Sequence, residues 1–200
     1  SIGRGHQLIM GNVSERRKQP PQVGVSVVIL ALGPVPQSDV DAGAASSGMG
    51  STLWMPLVKR VRQPFLGQWA LPGGGLRADH SLEQSAYAAL ESTTSLHPKY
   101  LEQLYTFGDP ARSHGGLPMV SIVYWALVGE ADGRIDFAGG DNVKWFPVNH
   151  LPELAFDHRT IVEYAMNRLR GKIESPDIAT RLVGERFTLS QLHDVYEAIA

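Results

Sequence analysis

Residues 25–32 read Val-Ser-Val-Val-Ile-Leu-Ala-Leu, an apolar run rich in β-branched residues that predicts a strand buried on both faces. Residues 53–61 predict a second strand. Between them, residues 33–52 consist mostly of Gly, Ser, Ala, Pro and Asp, too little apolar surface to offset the entropy of ordering, and a mobile hairpin insertion is expected. Three glycines, Gly73 to Gly75, precede a helix signal. Ser81 and Gln84 have the spacing of a capping box, and Leu82, Ala86, Ala89 and Leu90 follow at helical intervals. Strand-like segments recur at 101–107, 119–128 and 143–148, separated by Gly, Pro, Asp and Asn.

The pattern changes near residue 150. Asp157 is placed to cap a helix in which Ile161, Ala165 and Leu169 repeat every four residues and which ends near Gly171, with His158 read as part of that cap. A short helix is expected around 178–182. Thr188 and Gln191 form a second capping box, and Phe187 and Leu192 a hydrophobic staple, ahead of a last helix whose apolar stripe is Leu189, Leu192, Val195, Tyr196 and Ile199. The predicted class is α+β, a mixed sheet with flanking helices followed by an all-helical segment. Residues 1–22, with Arg16, Arg17 and Lys18 before Pro20 and Pro21, read as a flexible arm.

Composition narrows the function classes. The chain has 200 residues, 43% hydrophobic and 19% charged, which fits one main core with a small appendage. A net charge of −2 gives no global basic field for nucleic acid or an anionic membrane, so such binding must be local. With no cysteine, disulfides, Cys-ligated zinc, iron–sulfur clusters and thiol catalysis are excluded; a cytoplasmic setting is expected. No apolar run approaches the roughly 20 residues of a membrane helix.

The segment Leu71-Pro72-Gly73-Gly74-Gly75-Leu76 leading into Ser81-Leu82-Glu83, with Phe65-Leu66-Gly67-Gln68-Trp69-Ala70 ahead of it, resembles the Nudix box, the loop–helix–loop that carries the metal site of diphosphohydrolases. The frame is kept and the carboxylates are not. His80 stands at the position of the first glutamate of the family pattern, Ala88 and Ala89 at its Arg-Glu, Ser92 and Thr93 at its Glu-Glu pair, and Ser95 at its glycine. Magnesium needs hard oxygen ligands, and the helix face that would supply them is neutral. Glu83 and Glu91 lie about 80° apart around a helix and read as solvated charges. No catalytic residue, metal or cofactor is expected. What remains is a glycine loop and a helix start, suited to gripping a diphosphate without cleaving it.

Residues 151–158, Leu-Pro-Glu-Leu-Ala-Phe-Asp-His, the helix after them, and Phe187-Thr188-Leu189-Ser190-Gln191-Leu192 resemble the carboxy-terminal part of the Nudix-related transcriptional regulators, the NrtR family; Trp145-Phe146-Pro147-Val148 and Phe107-Gly108-Asp109-Pro110 fit as well. The resemblance implies a Nudix-like ligand domain over 23–150 and part of a winged helix-turn-helix over 151–200. It further implies a homodimeric regulator of NAD-metabolism genes that senses ADP-ribose or a related nucleotide and binds operator DNA. The alternatives are a sugar-utilisation regulator of the same family, a diphosphohydrolase with displaced acids, or a dimerisation scaffold. Residues 151–200 hold six basic and eight acidic side chains, no DNA footprint by themselves, so operator binding is expected to need residues beyond Ala200.

Arg60, Arg62 and Arg77 flank the glycine loop, and Arg112 follows Phe107-Gly108-Asp109-Pro110; a planar guanidinium forks onto diphosphate oxygens. With Gly73, Gly74, Gly75 and Trp69, whose ring can stack on adenine or fill core, these are the candidate ligand residues. His80, with no second histidine at metal spacing, reads as a surface side chain. Arg181, Arg186 and Thr188 are the candidate DNA contacts.

Overall fold

A computed structural model describes residues 20–41, 51–113 and 119–173. The apolar run forms β1 (Gln22–Pro34), the centre of a seven-stranded mixed sheet. Side chains alternate across a strand. Val25, Val27, Ile29 and Ala31 therefore face one core, and Val28 and Leu30 face the other. Both faces are covered, which is why the run carries almost no polar residue.

One edge of β1 pairs in parallel with β6 (Met119–Val128), and β6 pairs with β5 (Glu102–Phe107). The other edge is shared. Its amino-terminal end takes β4 (Gly73–Gly75) and its carboxy-terminal end takes β2 (Ser51–Lys59), which also holds β3 (Trp69–Ala70) and β7 (Val143–Pro147).

The hairpin insertion is shorter than its composition predicts. Gly33 pairs with Thr52 and Pro34 with Ser51, so the ladder extends into both ends of the segment. Gln37–Asp41 form a single-turn helix, α1, held where Asp39 meets His150 at 2.6 Å. Residues 42–50 lie outside the described residues. Likewise, β1 begins at Gln22, inside the predicted arm, whose residues 1–19 are not described.

Two helices close the sandwich. On one face α2 (Leu82–Thr94) places Ala86 and Leu90 against Val27, Ile29, Tyr124 and Ala126. The capping box is formed: Gln84 N–H donates to Ser81 Oγ at 3.1 Å and Ser81 N–H to Gln84 Oε1 at 2.8 Å. On the other face α3 (His158–Ile173) buries Ile161, Val162, Ala165, Met166 and Leu169 against Val28, Leu57, Val123 and Trp125. The boundary drawn at residue 150 therefore needs correcting. The change there is one of element type, since α3 completes the same core as the strands. The later helices predicted at 178–182 and 188–199 lie outside the described residues, and no described helix is long and apolar enough to cross a membrane.

Candidate functional site

The glycine loop is fixed by how closely it approaches β1. Gly73 has φ +150°, and a Cβ there would lie 2.2 Å from the Val25 carbonyl oxygen, so no larger residue fits. Val27 N–H donates to the Pro72 carbonyl at 2.9 Å, and Leu76 N–H to that of Val23 at 2.9 Å. The loop then turns into the start of α2 and leaves a cleft of about 110 Å³, lined by Gly74, Gly75, Arg77, His80, Ser85 and Ala88 over Val25. Arg77 forks onto Asp79 at 3.2 and 3.1 Å, with both side chains 66% exposed. Ser85 differs from its neighbours. Its hydroxyl oxygen is buried and has no hydrogen-bond partner, although buried polar atoms are normally paired.

Arg112, Trp69 and Arg60 belong to a second constellation, where α3 begins. Arg112 has no donor left for a ligand. Its Nε and Nη2 reach Asp157 at 2.5 and 3.0 Å, Nη1 donates to the carbonyls of Phe107 and Met119, and Nη2 also donates to Ser121 Oγ. All five N–H groups are engaged in a largely buried setting, so Arg112 is corrected from ligand contact to internal tie. Asp157 stands at the predicted N-cap position, its carbonyl accepting the Ile161 N–H at 3.2 Å, while both carboxylate oxygens serve Arg112. Burial raises the Asp157 pKa, but the Arg112 hydrogen bonds and charge outweigh this and hold it below the usual carboxylate value.

His158 is not part of a cap. Its Nδ1 accepts the N–H of Leu71 at 3.0 Å, two residues before Gly73. Burial, with the charges of Arg112 and Arg60, pushes its pKa down to about 4 against the opposing pull of Asp157, so the ring is neutral at pH 7 and carries its proton on Nε2. Next to it, Ala155 N–H donates to the Trp69 carbonyl at 2.8 Å. The Trp69 ring, half-buried, packs edge-on to Phe146 at 5.1 Å against the α3-side core. Arg60 donates to the Pro64 carbonyl and stacks over Phe156 at 4.7 Å. Arg62 is exposed on the loop after β2. A larger groove of about 460 Å³ runs between the start of β2 and α3, between Arg159 and Arg170, and shares no residue with the glycine-loop cleft.

Residues 47–165 match the NUDIX domain. The chain belongs to the Nudix family. Within it, the chain is 30% identical over 170 residues to the ADPR responsive transcriptional repressor NtrR of Acinetobacter baylyi, covering 83% of this chain and 67% of that protein. It is 32% identical to Shewanella oneidensis NrtR complexed with a 27mer DNA, with TM-score 0.69, covering 88% of this chain and 75% of that one. The separate Nudix domain of that protein, complexed with ADP ribose, matches at 31% identity and TM-score 0.56 over 84% of this chain and 99% of its own. An ADP-ribose pyrophosphatase of Methanocaldococcus jannaschii is 33% identical over 118 residues, 58% of this chain and 67% of that enzyme. These likenesses place the chain with the NrtR-type Nudix regulators.

The Nudix fold brings with it the question of a divalent metal, and the donor set answers it. His80, Ala88, Ala89, Ser92 and Thr93 offer no carboxylate at the family's metal positions, and Ser92 Oγ donates to the Ala89 carbonyl at 3.2 Å. Among the described residues no three His, Asp or Glu side chains converge as a metal group. Mg²⁺ requires oxygen ligands with net negative charge, and these residues do not fit it.

Of the predicted ligand residues, the fold gathers Gly74, Gly75 and Arg77 in one cleft, with Gly73 fixing the loop, and Arg60, Arg62, Trp69 and Arg112 are not part of its lining. It adds His80 and Ser85. Ser81, Ser85 and Ala88 share one helical face, and that spacing was the available signal for Ser85. Arg181, Arg186 and Thr188 lie outside the described residues.

Proposed function

We propose that this Nudix protein is an ADP-ribose-responsive transcriptional regulator whose Nudix domain binds the nucleotide without hydrolysing it. A winged helix-turn-helix in the carboxy-terminal part of the protein contacts operator DNA, as a homodimer. The observation that carries this reading is the loss of every family carboxylate from α2 in a chain whose likeness to an ADP-ribose-responsive repressor extends over 83% of its length. An intact loop beside a helix face without carboxylates at the family's metal positions keeps a binding surface and discards the chemistry that neutralises charge on a transferring phosphate. By the family resemblance, the genes governed are those of NAD metabolism.

Calorimetric titration of ADP-ribose, with chromatography of the same samples for AMP, tests the reading. Saturable binding with no AMP is expected. Genomic fragments selected on the full-length protein should then change occupancy when ADP-ribose is added. The second reading, a diphosphohydrolase with displaced acids, draws on the likeness to the pyrophosphatase. Sustained AMP formation by pure protein would establish it.

A further inference from the structure

We infer that the turn before α3, residues 154–158, couples the glycine loop to α3, with His158 as the positioning residue, so that nucleotide binding and the setting of α3 are one equilibrium. The inference rests on the proposed regulator function and concerns how its two ligands communicate. Residue by residue, the turn is joined to the lead-in of the loop. Leu154 bridges Trp69, Ala155 N–H donates to the Trp69 carbonyl at 2.8 Å, Phe156 packs on Phe65 at 4.8 Å, and His158 Nδ1 accepts Leu71 N–H at 3.0 Å. Asp157, the remaining member, is held by Arg112, which also donates to the carbonyls at the end of β5 and the start of β6.

Two features let this junction transmit a movement. Leu71 is buried and lies two residues before Gly73, too few to absorb a displacement of the loop. A shift of about half an ångström would part Leu71 from His158 and strand a buried N–H, so loop and helix move together. The turn is also strained. Phe65 and Phe156, at φ 64° and 53°, are two of the three non-glycine residues with positive φ among the described residues, and here they pack on each other. Such conformations persist where their surroundings over-determine them, and they gather at switch regions. From His158 onward α3 is one helix of 16 residues, about 24 Å long, and it leads into the segment that holds Arg181, Arg186 and Thr188. A change of setting at its first turn is therefore carried to the candidate DNA contacts.

The test is the affinity of the full-length protein for ADP-ribose, measured with and without a selected genomic fragment. The ratio of the two is the coupling factor, from which a uniform loss of affinity cancels. Wild type should show a factor of about fivefold or more. His158→Leu removes the acceptor and should bring the ratio close to one, whereas His158→Asn, whose Oδ1 can accept Leu71 N–H, should keep it. Phe156→Gly releases the backbone conformation and the ring contacts without emptying a buried site. It should lower the factor too, and it carries the test if His158→Leu fails to fold. Hydrogen exchange adds a readout that needs no DNA: amides of residues 154–161 should slow when ADP-ribose is added to wild type, and not when it is added to His158→Leu or Phe156→Gly.

A merely structural junction would lower Tm in these two variants and leave the coupling factor and the exchange response at their wild-type values, and that result would overturn the inference. If ADP-ribose binds and no DNA fragment is selected, the regulator reading fails alone, and exchange at 154–161 decides the coupling. Absence of ADP-ribose binding would end both.

Discussion

The cleft before α2 and the junction before α3 are each built around an arginine beside an aspartate, and they differ in how much of each pair is spent. Arg77 and Asp79 are two-thirds exposed and bond only to each other among the described contacts. Arg112 and Asp157 are 12% and 21% exposed, and every donor of the guanidinium is taken. A desolvated charge pair holds structure because removing one partner strands the other, whereas an exposed pair contributes little to stability and leaves its arginine available to a stronger anion. The same two residue types thus serve as a buried tie in one place and as a solvent-exposed pair in the other.

The largest expected effect follows from breaking the tie. Arg112→Met strands the Asp157 carboxylate together with Ser121 and two carbonyls, and should cost about 3–5 kcal/mol in urea unfolding. Arg77→Ala should change stability by no more than about 0.5 kcal/mol. If the two variants unfold at the same denaturant concentration, the contrast between the sites is wrong.

Next comes the response to acid. His158 serves as an acceptor for Leu71 N–H only while neutral, and its pKa of about 4 lies below that of an unfolded histidine, near 6.5. Between those values the unfolded chain binds the extra proton, so stability is complete above about pH 6.5 and declines as pH falls toward 4, by about 3 kcal/mol at the limit. Asp157, with its pKa lowered, adds a loss of the same sign in a separate window, below the usual carboxylate value. Denaturant midpoints taken from pH 7 to pH 4 should show the first loss in wild type and not in His158→Asn, which keeps an acceptor and cannot titrate. A flat profile in wild type would mean that the junction does not hold a neutral imidazole.

Much of the fold was legible because local chemistry and tertiary packing agree. The apolar run 25–32, the Ser81–Gln84 capping box and the four-residue repeat of α3 each announce an element that the structure contains. The sites were less legible, because an arginine, a serine or a histidine carries no local mark of its partner. Arg112 meets Asp157 across 45 residues, and His158 meets Leu71 across 87. The domain boundary failed for the same reason. A run of helices after strands looks like a new unit until α3 is seen to fill the far face of the sheet.

The smallest effect lies at the end of α2, where the family pattern has glycine and this chain has Ser95. The residue adopts φ 59° and ψ 18°, the left-handed conformation in which its N–H can close the helix onto the Glu91 carbonyl at 2.8 Å. A Cβ is disfavoured there, and glycine is the usual solution at a helix carboxy terminus. Ser95 itself is exposed, so its side chain offers no buried contact in return. Ser95→Gly is therefore expected to stabilise the domain by about 0.5–1 kcal/mol, offset in part by the greater freedom of glycine in the unfolded chain. Ala88 and Ala89 stand where the family pattern has charged side chains, whereas Ser95 keeps the glycine's backbone conformation with a Cβ on it, so restoring the glycine should raise Tm without touching ADP-ribose affinity. A drop in Tm would show that the serine hydroxyl contributes more to this turn than the strain removes, and the helix end would then have to be counted with the tied sites rather than the open one.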